Sequence, residues 1–116
     1  MKQLLSILAA FSMLGASAVY SADKVTIQLK WVTQAQFAGY YVAKDKGFYA
    51  DEDLDVTVKP GGPDIAPAQV LAGGGADVMV DWMPSALAAR EKGLPVVNMA
   101  QPFKSSGMML TCRKDM

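Results

Sequence analysis

"KVTIQLKWVTQAQFAGYYVAKDKGFY", residues 24–49, changes its period halfway along. Residues 24–29 alternate apolar and polar side chains and are rich in β-branched ones, the pattern of a strand. Over residues 35–46 the spacing turns helical, with Phe37, Tyr40, Tyr41 and Lys44 three and four apart and Gly47 as a stop. A strand that runs through a short loop into a helix is half of a βαβ unit. The run "DVTVK" at 55–59 supplies the second strand, closed by the breaker "PGGP".

The alternation continues beyond it. A short helix is predicted over 64–71, with Asp64 as N-cap, Pro67 in the first turn and Gly73 to Gly75 as its end. "ADVMV" at 76–80 is a continuous apolar run, the mark of a strand buried on both faces. "PSALAAREKG" opens with Pro84, is filled with alanine and ends on Gly93, which makes it the clearest helix. "PVVNMAQ" at 95–101 and "GMMLTCR" at 107–113 read as two more strands. Strands and helices in alternation, joined by short connections, imply right-handed crossovers and a parallel sheet, an α/β fold.

The first residues stand apart. Lys2 precedes an apolar run from Leu4 to Leu14, and Ala16, Ser17 and Ala18 offer the small residues of a cleavage site. We read residues 1–18 as a secretory signal, with cleavage possible as late as residue 22, because the apolar run is shorter than the ~20 residues of a membrane span. No cysteine stands at the junction to carry a lipid anchor. The expected location is the periplasm, and residues 19–116 form one domain segment. At its far end the strand at 107–113 would have nothing after it to cover it, so a chain truncated near Met116 is expected.

Composition narrows the chemistry. The 116 residues are 52% apolar, carry 11 basic and 11 acidic side chains, and include one cysteine and no histidine. A balanced charge gives no basic face for nucleic acid. Cys112 alone has no disulfide partner and cannot build a cysteine-only zinc site. Without histidine there is no Ser-His-Asp set. The spacing of Gly61 and Gly62 matches neither a Walker loop nor G-x-G-x-x-G, although two glycines after a strand can aim free amides at an anion or let backbone approach a ligand. The residues call for no cofactor and no metal.

In open parallel sheets ligands bind at the carboxyl ends of the strands. Four segments fall there, 30–37, 61–64, 81–85 and 101–106, and they carry rings, amides, hydroxyls and carboxylates. Trp31 lies in the first strand-to-helix loop, and Asp81 and Trp82 end a strand. Gln36, Gln101 and Ser105 add hydrogen-bond groups. On a helix Phe37 and Tyr41 share a face, whereas Tyr40 is turned by about 100° from Tyr41, so one of the two tyrosines is expected at the cleft. Phe37 and Tyr49 are assigned mainly to the core. The candidate ligand-binding residues are therefore Trp31, Gln36, Tyr40, Tyr41, Asp81, Trp82, Gln101 and Ser105. Asp64 is weighed as cap or ligand, with the cap preferred.

"LKWVTQAQFAGYYVAKDKGFY", "DLDV", "GGPD", "GADVMVDW" and "AAREKGLPVV" together resemble the extracytoplasmic substrate-binding proteins of ABC importers, in the branch related to the fungal thiamine-pyrimidine synthase. The superfamily also includes binders of nitrate, alkanesulfonates, taurine and riboflavin. The resemblance implies one lobe, incomplete, of a two-lobed type II periplasmic binding protein, with an inner-membrane permease as partner. It departs at Asp53, where glycine is expected before "LDV"; aspartate tolerates a left-handed backbone better than most residues.

The resemblance also raises catalysis. The synthase it points to makes the pyrimidine from pyridoxal phosphate and an active-site histidine, with iron and a cysteine-rich motif. This sequence has no histidine to donate, so a non-enzymatic binding protein is expected. A sulfonate or nitrate site would gather arginine around its anion, yet Arg90 and Arg113 fall away from the strand ends. A planar amino-heterocycle of the thiamine-pyrimidine type fits the rings and acceptors better, with riboflavin the nearest competitor.

Overall fold

Two periods written into one sequence produce one parallel sheet with helices across it. The computed structural model describes residues 21–105 and 111–114. Strand β1 (Asp23–Gln28) leads through a 3-10 turn (Ala35–Phe37) into helix α1 (Ala38–Asp45), and a second 3-10 turn (Ala50–Glu52) leads into β2 (Leu54–Lys59). Helix α2 (Pro67–Ala72), strand β3 (Val78–Met79) and helix α3 (Met83–Glu91) follow. The strand order is β2-β1-β3 and every pairing is parallel. The register runs from Asp23 opposite Leu54 to Gln28 opposite Lys59, while Ile27 and Gln28 face Val78 and Met79.

The central place of β1 decides where the core lies. Ile27, Gln28 and Leu29 are buried in succession because both faces of β1 are covered. Ile27, Leu29, Phe37 and Val56 form the buried cluster, with Trp31, Tyr40, Tyr41, Tyr49 and Val78 packed on it half-buried. Burying a side chain such as Leu29 or Phe37 contributes about 1.5–3 kcal/mol. The assignment of Phe37 to the core therefore holds.

Helix α1 is tied down at its carboxyl end. Gly47 takes a left-handed φ of 80°, and the Phe48 amide donates to the Ala43 carbonyl at 2.9 Å, closing the helix as a glycine stop does. The Lys44 ammonium donates to the Val56 carbonyl at 2.7 Å and pins the helix to β2. Asp53 adopts φ 57° and ψ 32°, the left-handed turn expected in place of glycine.

Four expectations need amendment. Helix α2 begins at Pro67, with Ala66 rather than Asp64 as N-cap. Proline fixes its own φ and drives the residue before it out of the helical region, and Ala66 is extended at φ −97° and ψ 103°. Strand β3 is only two residues long, and Val78, Met79 and Val80 are half-buried rather than enclosed, because β3 lies beside β1 at the edge of the three described strands. Its ladder is lengthened by two bonds, from the Asp77 amide to the Thr26 carbonyl at 2.9 Å and from the Val80 amide to the Gln28 carbonyl at 2.8 Å. Residues 95–101 form no strand: Val97 and Met99 are exposed, and the segment finds no partner strand among the described residues. Most of the strand expected at 107–113 lies outside the described residues, and Thr111 to Arg113 are not in a strand. No described helix is long and apolar enough to cross a membrane.

Candidate functional site

The carboxyl ends of the three strands converge because the strands are parallel and in register. At the end of β1, the buried Gln28 turns its amide sideways and donates to the carbonyls of Leu29 at 3.1 Å and Pro60 at 3.0 Å. The Gly61 amide donates to the Trp31 carbonyl at 2.9 Å. These bonds join the loops after β1 and β2 into one ledge. A methyl group on Gly61 would lie 2.7 Å from the Lys30 carbonyl oxygen and closer still to that of Leu29. This glycine is thus needed so that two backbones can approach each other. Its amide is spent on Trp31 rather than held out to an anion, and the close approach it permits is to the backbone of Leu29 and Lys30.

Beyond the ledge, β1 and β3 place Lys30 and Asp81 side by side. The Lys30 ammonium lies 2.9 Å from Asp81 Oδ1, and 4% of the Asp81 side chain is exposed against 19% of that of Lys30. The same oxygen accepts the Trp82 amide at 2.8 Å. Lys30 also sits 5.1 Å from the centroid of the Trp82 ring, within cation–π range. Trp82 itself is 62% exposed. The result is an outward-facing indole standing over an internally neutralised ion pair.

A second group of expected residues gathers over α1. Gln36, Gly39, Tyr40 and Tyr49 line a shallow depression of about 370 Å³ with Ala100, Pro102 and Phe103. Burial raises the Tyr40 phenol above 10.0; burial, and then the neighbouring Tyr40, do the same to Tyr49. Both tyrosines stay neutral at physiological pH and can donate or accept hydrogen bonds.

The eight candidate residues therefore divide. Asp81 and Trp82 come together at the strand ends, and Gln36 and Tyr40 come together over α1. Trp31 packs half-buried against the core. Tyr41 shares a hydrogen bond of 3.2 Å with the Thr33 hydroxyl. Gln101 and Ser105 are exposed, outside both groups. Sequence reasoning left Lys30 without a role, although its place at the end of β1 made it a natural partner for a carboxylate at the end of a neighbouring strand. Among the described residues no group of three or more histidine, cysteine or acidic side chains is placed to hold a metal ion.

Comparison with known proteins extends the picture. A formylaminopyrimidine-binding protein of Halalkalibacterium halodurans is 34% identical over 84 residues, which are 72% of this chain and 25% of that protein. The 4-amino-5-hydroxymethyl-2-methylpyrimidine phosphate synthase of Candida albicans is 30% identical over 88 residues, 72% of this chain and 26% of the enzyme. A synthase of the same name from Saccharomyces cerevisiae is 28% identical over 88 residues, again 72% and 26%. The chain thus spans about a quarter of the length of the curated relatives it matches. No solved structure matches it. The synthase names correct the expectation of a non-enzymatic protein: relatives at about 30% identity are enzymes, so this kinship includes catalysts as well as a binding protein. The family model described as NMT1/THI5 like matches residues 34–116. Its fold is that of the periplasmic binding proteins, in agreement with the parallel sheet. The chain belongs to the NMT1/THI5-like family, and its named relatives include a protein that binds a pyrimidine and enzymes that make one.

Proposed function

We propose that this chain forms part of the first lobe of an extracytoplasmic solute-binding protein that captures a thiamine-type pyrimidine and delivers it to an ABC importer in the inner membrane. The observation that carries the reading is the exposed Trp82 ring beside the Lys30–Asp81 pair at the strand ends. A flat apolar surface suits a heteroaromatic ring, and a carboxylate close by suits its exocyclic amine. The kinship with a formylaminopyrimidine-binding protein supports the same ligand class. Export to the periplasm rests on Lys2, the apolar run and the Ala16–Ser17–Ala18 site.

Stacking one ring on an indole contributes roughly 1–3 kcal/mol, judged by base–aromatic contacts. Calorimetry on the full-length protein should show Trp82→Ala weakening pyrimidine binding by about tenfold, since 1.4 kcal/mol corresponds to a factor of ten. Trp82→Phe should restore most of it. A Trp82→Ala variant that binds normally removes the stacking surface from the reading.

The synthase names favour a second reading, in which the full-length protein forms 4-amino-5-hydroxymethyl-2-methylpyrimidine phosphate. Mass spectrometry of the small molecules released after denaturing freshly purified protein separates the two. A bound pyrimidine without phosphate supports capture, and the phosphate ester supports synthesis.

A further inference from the structure

The strand ends hold two groups that an anion would ordinarily recruit, the Lys30 ammonium and the Gly61 amide. Both are engaged within the chain. Lys30 is 2.9 Å from Asp81 Oδ1 and lies against the Trp82 ring, and the Gly61 amide donates to the Trp31 carbonyl at 2.9 Å. Lys104 is exposed on the segment that carries Phe103. Asp81, with 4% of its side chain exposed, depends on Lys30 for its countercharge. A phosphate that drew Lys30 away would strand a nearly buried carboxylate, and one that left the pair intact would meet an ammonium whose charge Asp81 already neutralises, with no free countercharge to replace its water.

A neutral ring meets neither penalty. It can stack on the exposed Trp82 ring while the Lys30–Asp81 pair stays closed. From this geometry we infer that the Lys30–Asp81 pair is a charge-selecting device, which admits an uncharged pyrimidine and disfavours its phosphate ester. Lys30 and Asp81 are then specificity-determining residues, acting on the charge of the ligand rather than the shape of its ring. The inference rests on the pyrimidine reading proposed above.

The test compares 4-amino-5-hydroxymethyl-2-methylpyrimidine with its monophosphate by calorimetry on the full-length protein. The wild type should prefer the uncharged compound by roughly tenfold or more, the scale of desolvating an anion that finds no free countercharge. Asp81→Asn keeps the shape, frees the Lys30 ammonium, and should raise affinity for the monophosphate about tenfold relative to the uncharged compound. Lys30→Arg keeps the pair and should keep the wild-type ratio, so the proposal remains testable if the asparagine variant does not fold. Equal binding of the two compounds by the wild type overturns the inference alone, as does an Asp81→Asn ratio that does not move or a Lys30→Arg ratio that shifts to favour the ester. Binding of neither compound overturns the pyrimidine reading, and this inference with it.

Discussion

Gly61→Ala is the substitution whose effect can be worked most fully from the structure. The added methyl would meet the carbonyl oxygens of Leu29 and Lys30, the latter at 2.7 Å, and these are backbone atoms that cannot swing aside as a side chain can. Overpacking of this kind costs about 1–3 kcal/mol. Relief requires the two loops to separate, which also weakens the 2.9 Å bond from Gly61 to Trp31 and the 3.0 Å bond from Gln28 to Pro60. Each is worth about 1 kcal/mol net. The sum is roughly 3–5 kcal/mol, or a fall of about 1.5–2.5 M in the urea midpoint for a slope of about 2 kcal/mol/M. Gly62→Ala is the matched control, because its methyl would find only a Val32 methyl group at 4.0 Å. Equilibrium urea unfolding followed by circular dichroism should separate the two variants clearly. Equal midpoints for Gly61→Ala and Gly62→Ala would refute the claim that these backbones need a glycine between them.

Three further outcomes follow from other contacts. Lys30→Met leaves Asp81 without a countercharge and should destabilise the fold by about 2 kcal/mol, while adding Asp81→Leu should recover most of the loss in the same urea experiment. Asp53→Ala places a residue less tolerant of φ 57° in the left-handed turn before β2 and should cost about 1 kcal/mol, whereas Asp53→Gly should be neutral or stabilising. The phenols of Tyr40 and Tyr49 are held above 10.0 in the folded protein, so the fold favours their protonated form. Their contribution to stability is complete below the unfolded value of 10.0 and is lost as the pH rises through the folded values. Phenolate absorbance should accordingly show Tyr40 and Tyr49 titrating later than free tyrosine, and Tyr40→Phe should remove one of these late phenols.

What could be read beforehand was whatever depends on neighbours in sequence. The switch from alternation to a three-and-four spacing marked β1 and α1, and Gly47 marked the helix stop, whereas the left-handed turn at Asp53 was expected only from the family resemblance. The start of α2 was misread because Asp64 and Pro67 both signal a helix start; the proline rules out helical backbone at Ala66, whereas Asp64 offers only a hydrogen bond. Strand β3 was overextended because an apolar run looks alike in the middle of a sheet and at its margin. Residues 95–101 carried strand-forming side chains, yet a strand exists only where another edge can pair with it. At the site, rings and acceptors could be assigned to strand ends, but the Lys30–Asp81 pair could not. Those residues are distant in sequence and meet only because β1 and β3 are adjacent and parallel. The close approach at Gly61 was equally hidden, since "PGGP" reads as a breaker whatever lies against it.

The central claim is capture of a thiamine-type pyrimidine, and titration calorimetry on the full-length protein tests it most directly. The compounds are formylaminopyrimidine, 4-amino-5-hydroxymethyl-2-methylpyrimidine, riboflavin, taurine and nitrate. The account predicts saturable one-to-one binding of an aminopyrimidine, with the anions producing no heat of binding at the same concentrations. Tight binding of taurine or nitrate, with no response to either pyrimidine, would contradict it.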